Sequence, residues 1–207
     1  MLAATTALSA LSASPAWAHA RVIASSPAEG AVVASLTTAR LTFNESVSGT
    51  SSALRVLTSS GTTLSGPARV SGSSVTAPVR SINAGRYALV YRVTSADGHV
   101  IANSIGFSVR LSDPPSSATT VRLSGESVGI SGTRVGTRTL RLRGDLRNAI
   151  GQVAWRLPGI PEPFTWSLAK GRAKGMLPFA GTYSVTVTAY SSASSTRTLT
   201  GVVRISP

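Results

Sequence analysis

Apolar residues recur at about every second position in many short segments of this sequence. Apolar and polar residues alternate in brief runs, which places every second side chain on one face, as in a half-buried β-strand. In the first half these runs are "ARLTF" at 39–43, "ALRVL" at 53–57, "RYALVYRV" at 86–93 and "SIGFSV" at 104–109. Turn-forming residues separate them, and no segment has convincing helical periodicity. We therefore predict an all-β fold, with a small antiparallel sandwich or barrel first.

A proline-containing segment divides the pattern. "LSDPPSSATT" at 111–120 cannot continue a sheet ladder, because paired prolines favour an extended, exposed connection. We predict a first domain over 19–112, a linker over 113–120 and a second all-β domain, of the sandwich kind, over 121–207. The strand-like runs of that second domain are "TVRLS", "RTLRLRG", "QVAWRL", "TYSVTVTAY" and "LTGVVRIS".

Residues 1–18 have the features of a secretory signal peptide. They are uncharged and mostly apolar, and they end in the small-residue cleavage pattern Ala16-Trp17-Ala18. The basic segment that usually precedes such a run is missing, which leaves the true start codon and the exact cleavage site open. Cleavage after Ala18 would make His19 the first mature residue. We expect a soluble, exported protein in the periplasm or outside the cell, since no later run is long enough to span a membrane.

The composition narrows the kinds of site that are available. The chain has no cysteine, which excludes disulfides and thiolate metal sites. Its formal net charge is +13, and residues 114–207 hold 12 basic against 3 acidic residues. This excess is compatible with an anionic cell-envelope surface as partner, and equally with well-spaced solvated charges. No aromatic-studded basic stretch points to nucleic acid.

The chain has two histidines, and both occupy positions that suit a metal ligand. Cleavage would give His19 a free α-amine beside its imidazole, so the two nitrogens could chelate one ion. The amine can lose its proton, because its pKa of about 8 lies near neutrality. Asp97 and His99 are two positions apart and, in an extended segment, project from one face. The alternative is a chance histidine at a frayed terminus and a surface histidine beside an aspartate.

A ligand set of one amine, two imidazoles and one carboxylate suits Cu(II), which prefers nitrogen-rich tetragonal sites. We predict one Cu(II) ion at His19, Asp97 and His99. No Cu(I) site is expected, because thioether ligands are limited to Met1 and Met176.

With these residues in place, the first domain resembles the CopC family of exported copper-binding proteins over residues 19 to about 110. The matching motifs are "HAR" at 19–21, "SSPAEG" at 25–30, "LTFNE" at 41–45, "VTSADGH" at 93–99 and "FSV" at 107–109. The resemblance implies a Greek-key β-barrel of cupredoxin-like or immunoglobulin-like shape, with Cu(II) held by His19, Asp97 and His99. It also implies that Glu45 lies beside the metal and hydrogen-bonds to the terminal group. The second domain departs from the family pattern.

The leading functional hypothesis is a non-enzymatic Cu(II) carrier or buffer for copper homeostasis or resistance. Its partners would be copper, a CopD-type membrane copper transporter and an anionic envelope surface. The first alternative is a copper monooxygenase that resembles the lytic polysaccharide oxidases, which also use an N-terminal histidine. The second is an envelope scaffold in which metal binding is incidental. Serine-based catalysis is disfavoured, because both histidines are committed to metal and none remains as a base.

Overall fold

The computed structural model describes residues 19–115, 117–132, 134–191 and 195–207. The predicted signal peptide, residues 1–18, lies outside the described residues. The described chain is built of β-strands, with one 3-10 turn at Gly144–Leu146. The predicted all-β sandwich class is confirmed.

The first half of the chain forms two sheets. One has the strand order β1-β3-β7-β6; the other has the order β2-β9-β8-β4, with β5 also paired to β8. The strands are β1 Val22–Ser26, β2 Val32–Val33, β3 Thr38–Phe43, β4 Val47–Ser48, β5 Leu54–Leu57, β6 Arg69–Ser71, β7 Ser74–Pro78, β8 Gly85–Ser95 and β9 Val100–Val109.

The alternation seen in the sequence explains how these sheets make a core. In β3, Ala39, Leu41 and Phe43 are at most 1% exposed, while the residues between them face outward or are half-buried. They meet inward-facing residues of the opposite sheet, including Leu89 and Phe107. The burial of these side chains is the main favourable term in forming the sandwich.

The second half forms a separate pair of sheets, with orders β10-β11-β12-β15 and β14-β13-β16-β17. The first of these strands begins at Ala118, inside the predicted 113–120 linker. The strands are β10 Ala118–Leu123, β11 Glu126–Ser131, β12 Gly136–Arg141, β13 Ile150–Arg156, β14 Phe164–Leu168, β15 Arg172–Leu177, β16 Gly181–Tyr190 and β17 Thr196–Ile205.

The two halves share apolar surface. Strand β8 is buried on both faces: Leu89 lies in the first core, whereas Ala88 and Val90 lie in the second, together with Leu57 from β5. The second core therefore extends onto the outer face of the first sandwich.

Polar contacts reinforce this junction through β9. The backbone N–H of Ser104 donates to the carbonyl oxygen of Pro163 at 2.7 Å. The side-chain oxygen of Asn103 accepts from the backbone N–H of Thr165 at 2.7 Å. Gly106 leaves no room for a side chain, because an added Cβ would lie 2.9 Å from the carbonyl oxygen of Met176. These contacts involve β9, the strand that begins directly after Asp97 and His99, two of the candidate metal ligands.

Candidate metal centre

The hairpin turn between β8 and β9 positions Asp97 and His99. The backbone N–H of Ser95 donates to the carbonyl oxygen of His99 at 2.9 Å, and that of Gly98 donates to the carbonyl oxygen of Ser95 at 3.0 Å. Gly98 has a φ of +85°, which glycine adopts without steric cost. The expected extended geometry is therefore wrong: a tight turn, and not a strand, brings the two side chains together.

The N-terminal segment lies against the same turn. Ala20 is 3% exposed and belongs to the first core. Arg21 exchanges hydrogen bonds with Asn44: its N–H donates to the side-chain oxygen at 2.6 Å, and its carbonyl oxygen accepts from the backbone N–H at 3.1 Å. Ala20 and Arg21 are thus fixed in place, and His19, which directly precedes them, is held beside the hairpin turn.

The structure brings all three sequence-predicted ligands into one cluster. Nδ1 of His19 lies 2.7 Å from Oδ2 of Asp97, and Nδ1 of His99 lies 3.1 Å from the same oxygen. One candidate ligand atom from each residue lies within 4.8 Å of the others. The ring centroids are 4.5 Å apart, at an interplanar angle of 68°.

These separations fit a single metal ion. At metal–ligand distances of about 2.0–2.1 Å, two ligands at a right angle lie about 2.9 Å apart. The two nitrogen–oxygen distances of 2.7 and 3.1 Å lie on either side of that value. The donor set of two imidazoles and a carboxylate suits borderline cations such as Cu(II). The His19 nitrogen is a peptide nitrogen in the uncut chain, so an amine ligand requires cleavage.

The charge at the centre is fixed by hydrogen bonds to Asp97. The hydroxyl of Ser95 donates to Oδ1, and the backbone N–H of His99 donates to the same atom at 3.1 Å. The Ser95 hydroxyl is the main cause that holds the pKa of Asp97 below its usual range, and the His99 N–H and both imidazoles add to it. The carboxylate thus stays ionised near neutral pH, as a metal ligand must.

Ser95 is the residue that the sequence analysis missed. Ser95 is 4% exposed and is the last residue of β8, where its hydroxyl contacts the carboxylate of Asp97. Its only sequence signal was a hydroxyl two positions before an aspartate in a turn, a pattern that is common in loops.

Glu45 lies in the connection between β3 and β4, on the same side of the molecule. Its Oε1 accepts a long hydrogen bond, 3.4 Å, from the backbone N–H of Ala96. This contact supports the turn that carries Asp97. The predicted contact of Glu45 with the terminal group stays a prediction.

Accessibility differs between the ligands. The imidazoles of His19 and His99 are 53% and 66% exposed, whereas the Asp97 side chain is 21% exposed. Met176, in β15, is fully buried and does not belong to this cluster. An ion could therefore reach the site directly from solvent.

Fold and cluster together define an all-β protein with a candidate copper-type site at a hairpin turn. The family model of the CopC domain matches residues 22–110. This match confirms the resemblance of the first half of the chain to the CopC family. The matched range includes Glu45, Asp97 and His99 and begins three residues after His19. It relates this part of the chain to copper-binding proteins.

Two solved structures are similar to parts of this chain. CopC from Methylosinus trichosporium OB3b is 24% identical, with a TM-score of 0.40, over 47% of this chain and 99% of that one. The fibronectin(III)-like modules of CbhA from Clostridium thermocellum are 15% identical, with a TM-score of 0.30, over 91% of this chain and 94% of that one. No curated protein matches the chain. Within the described residues, no helix is long and apolar enough to cross a membrane.

Proposed function

We propose that the protein is an exported Cu(II) carrier or buffer that acts without catalysis. The observation that carries the proposal is the convergence of His19, Asp97 and His99 on one point, on a CopC domain. In the mature chain the α-amine of His19 completes the ligand set, so that one Cu(II) is held by three nitrogens and one carboxylate oxygen.

The ligand set explains why the bound ion would be cupric. Imidazole and amine nitrogens with a carboxylate favour Cu(II), whereas Cu(I) prefers soft sulfur ligands. Glu45 would orient the terminal amine, a supporting role of the kind that metal ligands usually need. In the cell, the protein would work in the periplasm or outer envelope and exchange copper with a CopD-type membrane transporter. The basic second half would contact an anionic envelope surface.

The monooxygenase alternative is less well supported. Such an enzyme needs a substrate face that carries exposed aromatic residues near the metal. The two tryptophans of the described chain, Trp155 and Trp166, are 0% and 4% exposed and pack in the second core. They cannot contact a polysaccharide without unfolding that core.

The test is a Cu(II) titration of residues 19–207 with three single variants, His19→Ala, Asp97→Asn and His99→Ala. Each removes one ligand and should weaken binding by about 100-fold or more, since even supporting partners cost 10–100-fold. Asp145→Asn is the matched control, because Asp145 is an exposed aspartate in the 3-10 turn of the second half. Unchanged affinity in Asp97→Asn or His99→Ala would overturn the proposed site.

A further inference from the structure

The outer face of the β10-β11-β12-β15 sheet carries a cluster of arginines that the copper site does not use. Arg141 in β12 is the direct cross-strand partner of Arg172 in β15. Arg143 follows Arg141 by two positions, and the intervening Leu142 is buried, so both arginines point away from the core. We call Arg141, Arg143 and Arg172 the arginine face.

The arginine face lines a depression of about 590 Å³, a volume that is typical of small-ligand sites. Gly129 is the partner of Arg141 on the other side, in β11, and has no side chain to fill the space. A Cβ added there would lie 3.6 Å from a terminal nitrogen of Arg143, so that guanidinium lies over the glycine. The remaining lining is rich in hydroxyls, from Thr119, Thr120, Ser131 and Thr139.

The charge arrangement is unfavourable without a ligand. Like charges directly opposite each other on neighbouring strands destabilise a sheet. Among the described residues, none that lines the depression is acidic, although Arg143 also borders a neighbouring depression that Glu126 and Asp145 line. Within the described parts of the chain, the ion pairs of arginine involve Arg55 and Arg197, and none involves the arginine face. An anion bound between the guanidinium groups would relieve this repulsion.

The geometry points to an oligophosphate as the ligand, and we propose that the arginine face binds a short chain of linked phosphate groups. Guanidinium groups recognise phosphate and carboxylate through paired N–H donors. A carboxylate has two oxygens in one plane, whereas each phosphate group offers oxygens in several directions, which suits three guanidinium groups and several hydroxyls that line one depression. The depression is large enough for more than one such group. This inference deepens the proposal of an anionic partner for the second half and does not depend on copper.

The test is a calorimetric titration of copper-free residues 19–207 with tripolyphosphate at fixed ionic strength. The triple variant Arg141→Ala, Arg143→Ala and Arg172→Ala removes the arginine face. The matched control removes three other exposed arginines of the second half and the same charge: Arg134→Ala, Arg156→Ala and Arg204→Ala. Thermal unfolding of both variants checks that they fold. Citrate tests the carboxylate chemistry, and phosphatidylglycerol vesicles test a lipid surface.

We expect the wild type and the control to bind tripolyphosphate within about threefold of each other, because distant charges are screened. The arginine-face variant should bind about 10-fold to 100-fold more weakly, as for loss of charged hydrogen bonds. Equal loss in both triple variants would overturn the inference in favour of general charge attraction. So would citrate binding as tight as that of tripolyphosphate, or vesicle binding without tripolyphosphate binding. Since no copper is present, none of these results bears on the copper site.

Discussion

Asp97 has two oxygens with different partners, and this division organises the candidate metal centre. Oδ1 accepts hydrogen bonds from Ser95 and from the backbone of His99, while Oδ2 faces both imidazoles. The first oxygen therefore fixes the orientation of the carboxylate, which leaves the second in the position where a metal ion and two nitrogens would meet. A buried hydroxyl thus controls a site that is otherwise exposed.

Ser95→Ala tests this role of the hydroxyl. The variant removes one of the two donors to Oδ1 and none of the proposed ligands, so the carboxylate is held less firmly, by the His99 N–H alone. We expect Cu(II) affinity to fall about tenfold, the lower end of what supporting partners of metal ligands contribute. A competition titration measures the change, with Ser112→Ala, at an exposed serine outside the turn, as the control. Equal Cu(II) affinities in the two variants would show that the Ser95 hydroxyl does not contribute to Cu(II) binding.

For individual residues, the sequence predicted that His19, Asp97 and His99 lie together, but it did not predict the backbone geometry that brings them together. The pairing of Asp97 with His99 followed from their spacing, and the placement of His19 followed from the cleavage pattern. The turn geometry depends on the positive φ of Gly98, which the "ADG" signal indicated only as a turn. The role of Ser95 depends on the end point of β8, and strand ends are the least certain part of a sequence-based assignment.

At the level of elements, the loop between β1 and β2 is tied to β15 by the carboxyl group of Glu29. Oε1 of Glu29 accepts a hydrogen bond from the backbone N–H of Met176 at 2.6 Å. Loss of hydration where the carboxyl group faces β15 raises the pKa of Glu29 from 4.5 to about 7, although hydrogen bonds from the backbone of Met176 and Gly106 oppose the rise and part of the residue stays exposed. The charged form is therefore disfavoured at the junction between the halves.

This raised pKa predicts a pH-dependent stability. Between pH 4.5 and 7 the folded chain binds a proton at Glu29 that the unfolded chain has lost, so its contribution to stability falls as the pH rises through this window. Because Glu29 is also partly exposed to solvent, which screens its charge, the test rests on the direction of this change. Glu29→Gln keeps an acceptor for Met176 and cannot titrate.

Chemical unfolding of the wild type and Glu29→Gln at several pH values measures this effect. The free-energy difference between the two proteins should change from pH 4.5 to 7 and level off beyond both ends of that range. All other residues are the same in both proteins, so their contributions cancel in the comparison. A difference that is constant with pH would show that Glu29 is not responsible.

Some elements were predictable from the sequence and others were not. Strands β3, β9 and β16 contain alternating stretches and β8 contains a nearly continuous apolar run, and each was predicted. Strand β15 was not, because "RAKGML" combines charges with a glycine. The structure supplies the reason for that glycine: a Cβ at Gly175 would lie 2.0 Å from a ring nitrogen of Trp166. Such a requirement comes from a neighbouring strand and leaves no local signal.

At the scale of the whole molecule, the two halves are joined more closely than the proline-containing connection suggests. Leu57, Ala88 and Val90 of the first half lie in the core of the second. Their burial also explains why β8 reads as a nearly continuous apolar run, a pattern typical of strands that are covered on both faces. The sequence predicted two sets of strands, but not that one strand serves two cores.

Truncation after residue 112 should therefore destabilise the first half. It would expose Leu57, Ala88 and Val90 to water, at a cost of roughly 1.5–3 kcal/mol for each large aliphatic side chain. We expect residues 19–112 to unfold at a lower temperature than the full chain and to aggregate. Val90→Thr, of similar shape but polar, should improve the solubility of the truncated form. If residues 19–112 melt as a soluble unit at the temperature of the full chain, the shared core is not important for stability.

The proposed amine ligand is tested by comparing Cu(II) binding by two preparations, one starting at His19 and one with a single extra residue before it. Titration followed by electron paramagnetic resonance reports affinity and ligand type. If the α-amine of His19 is a Cu(II) ligand, only the chain with a free His19 amine will show tight one-to-one binding and a nitrogen-rich tetragonal spectrum. Equal, weak binding by both preparations would contradict this role of the amine.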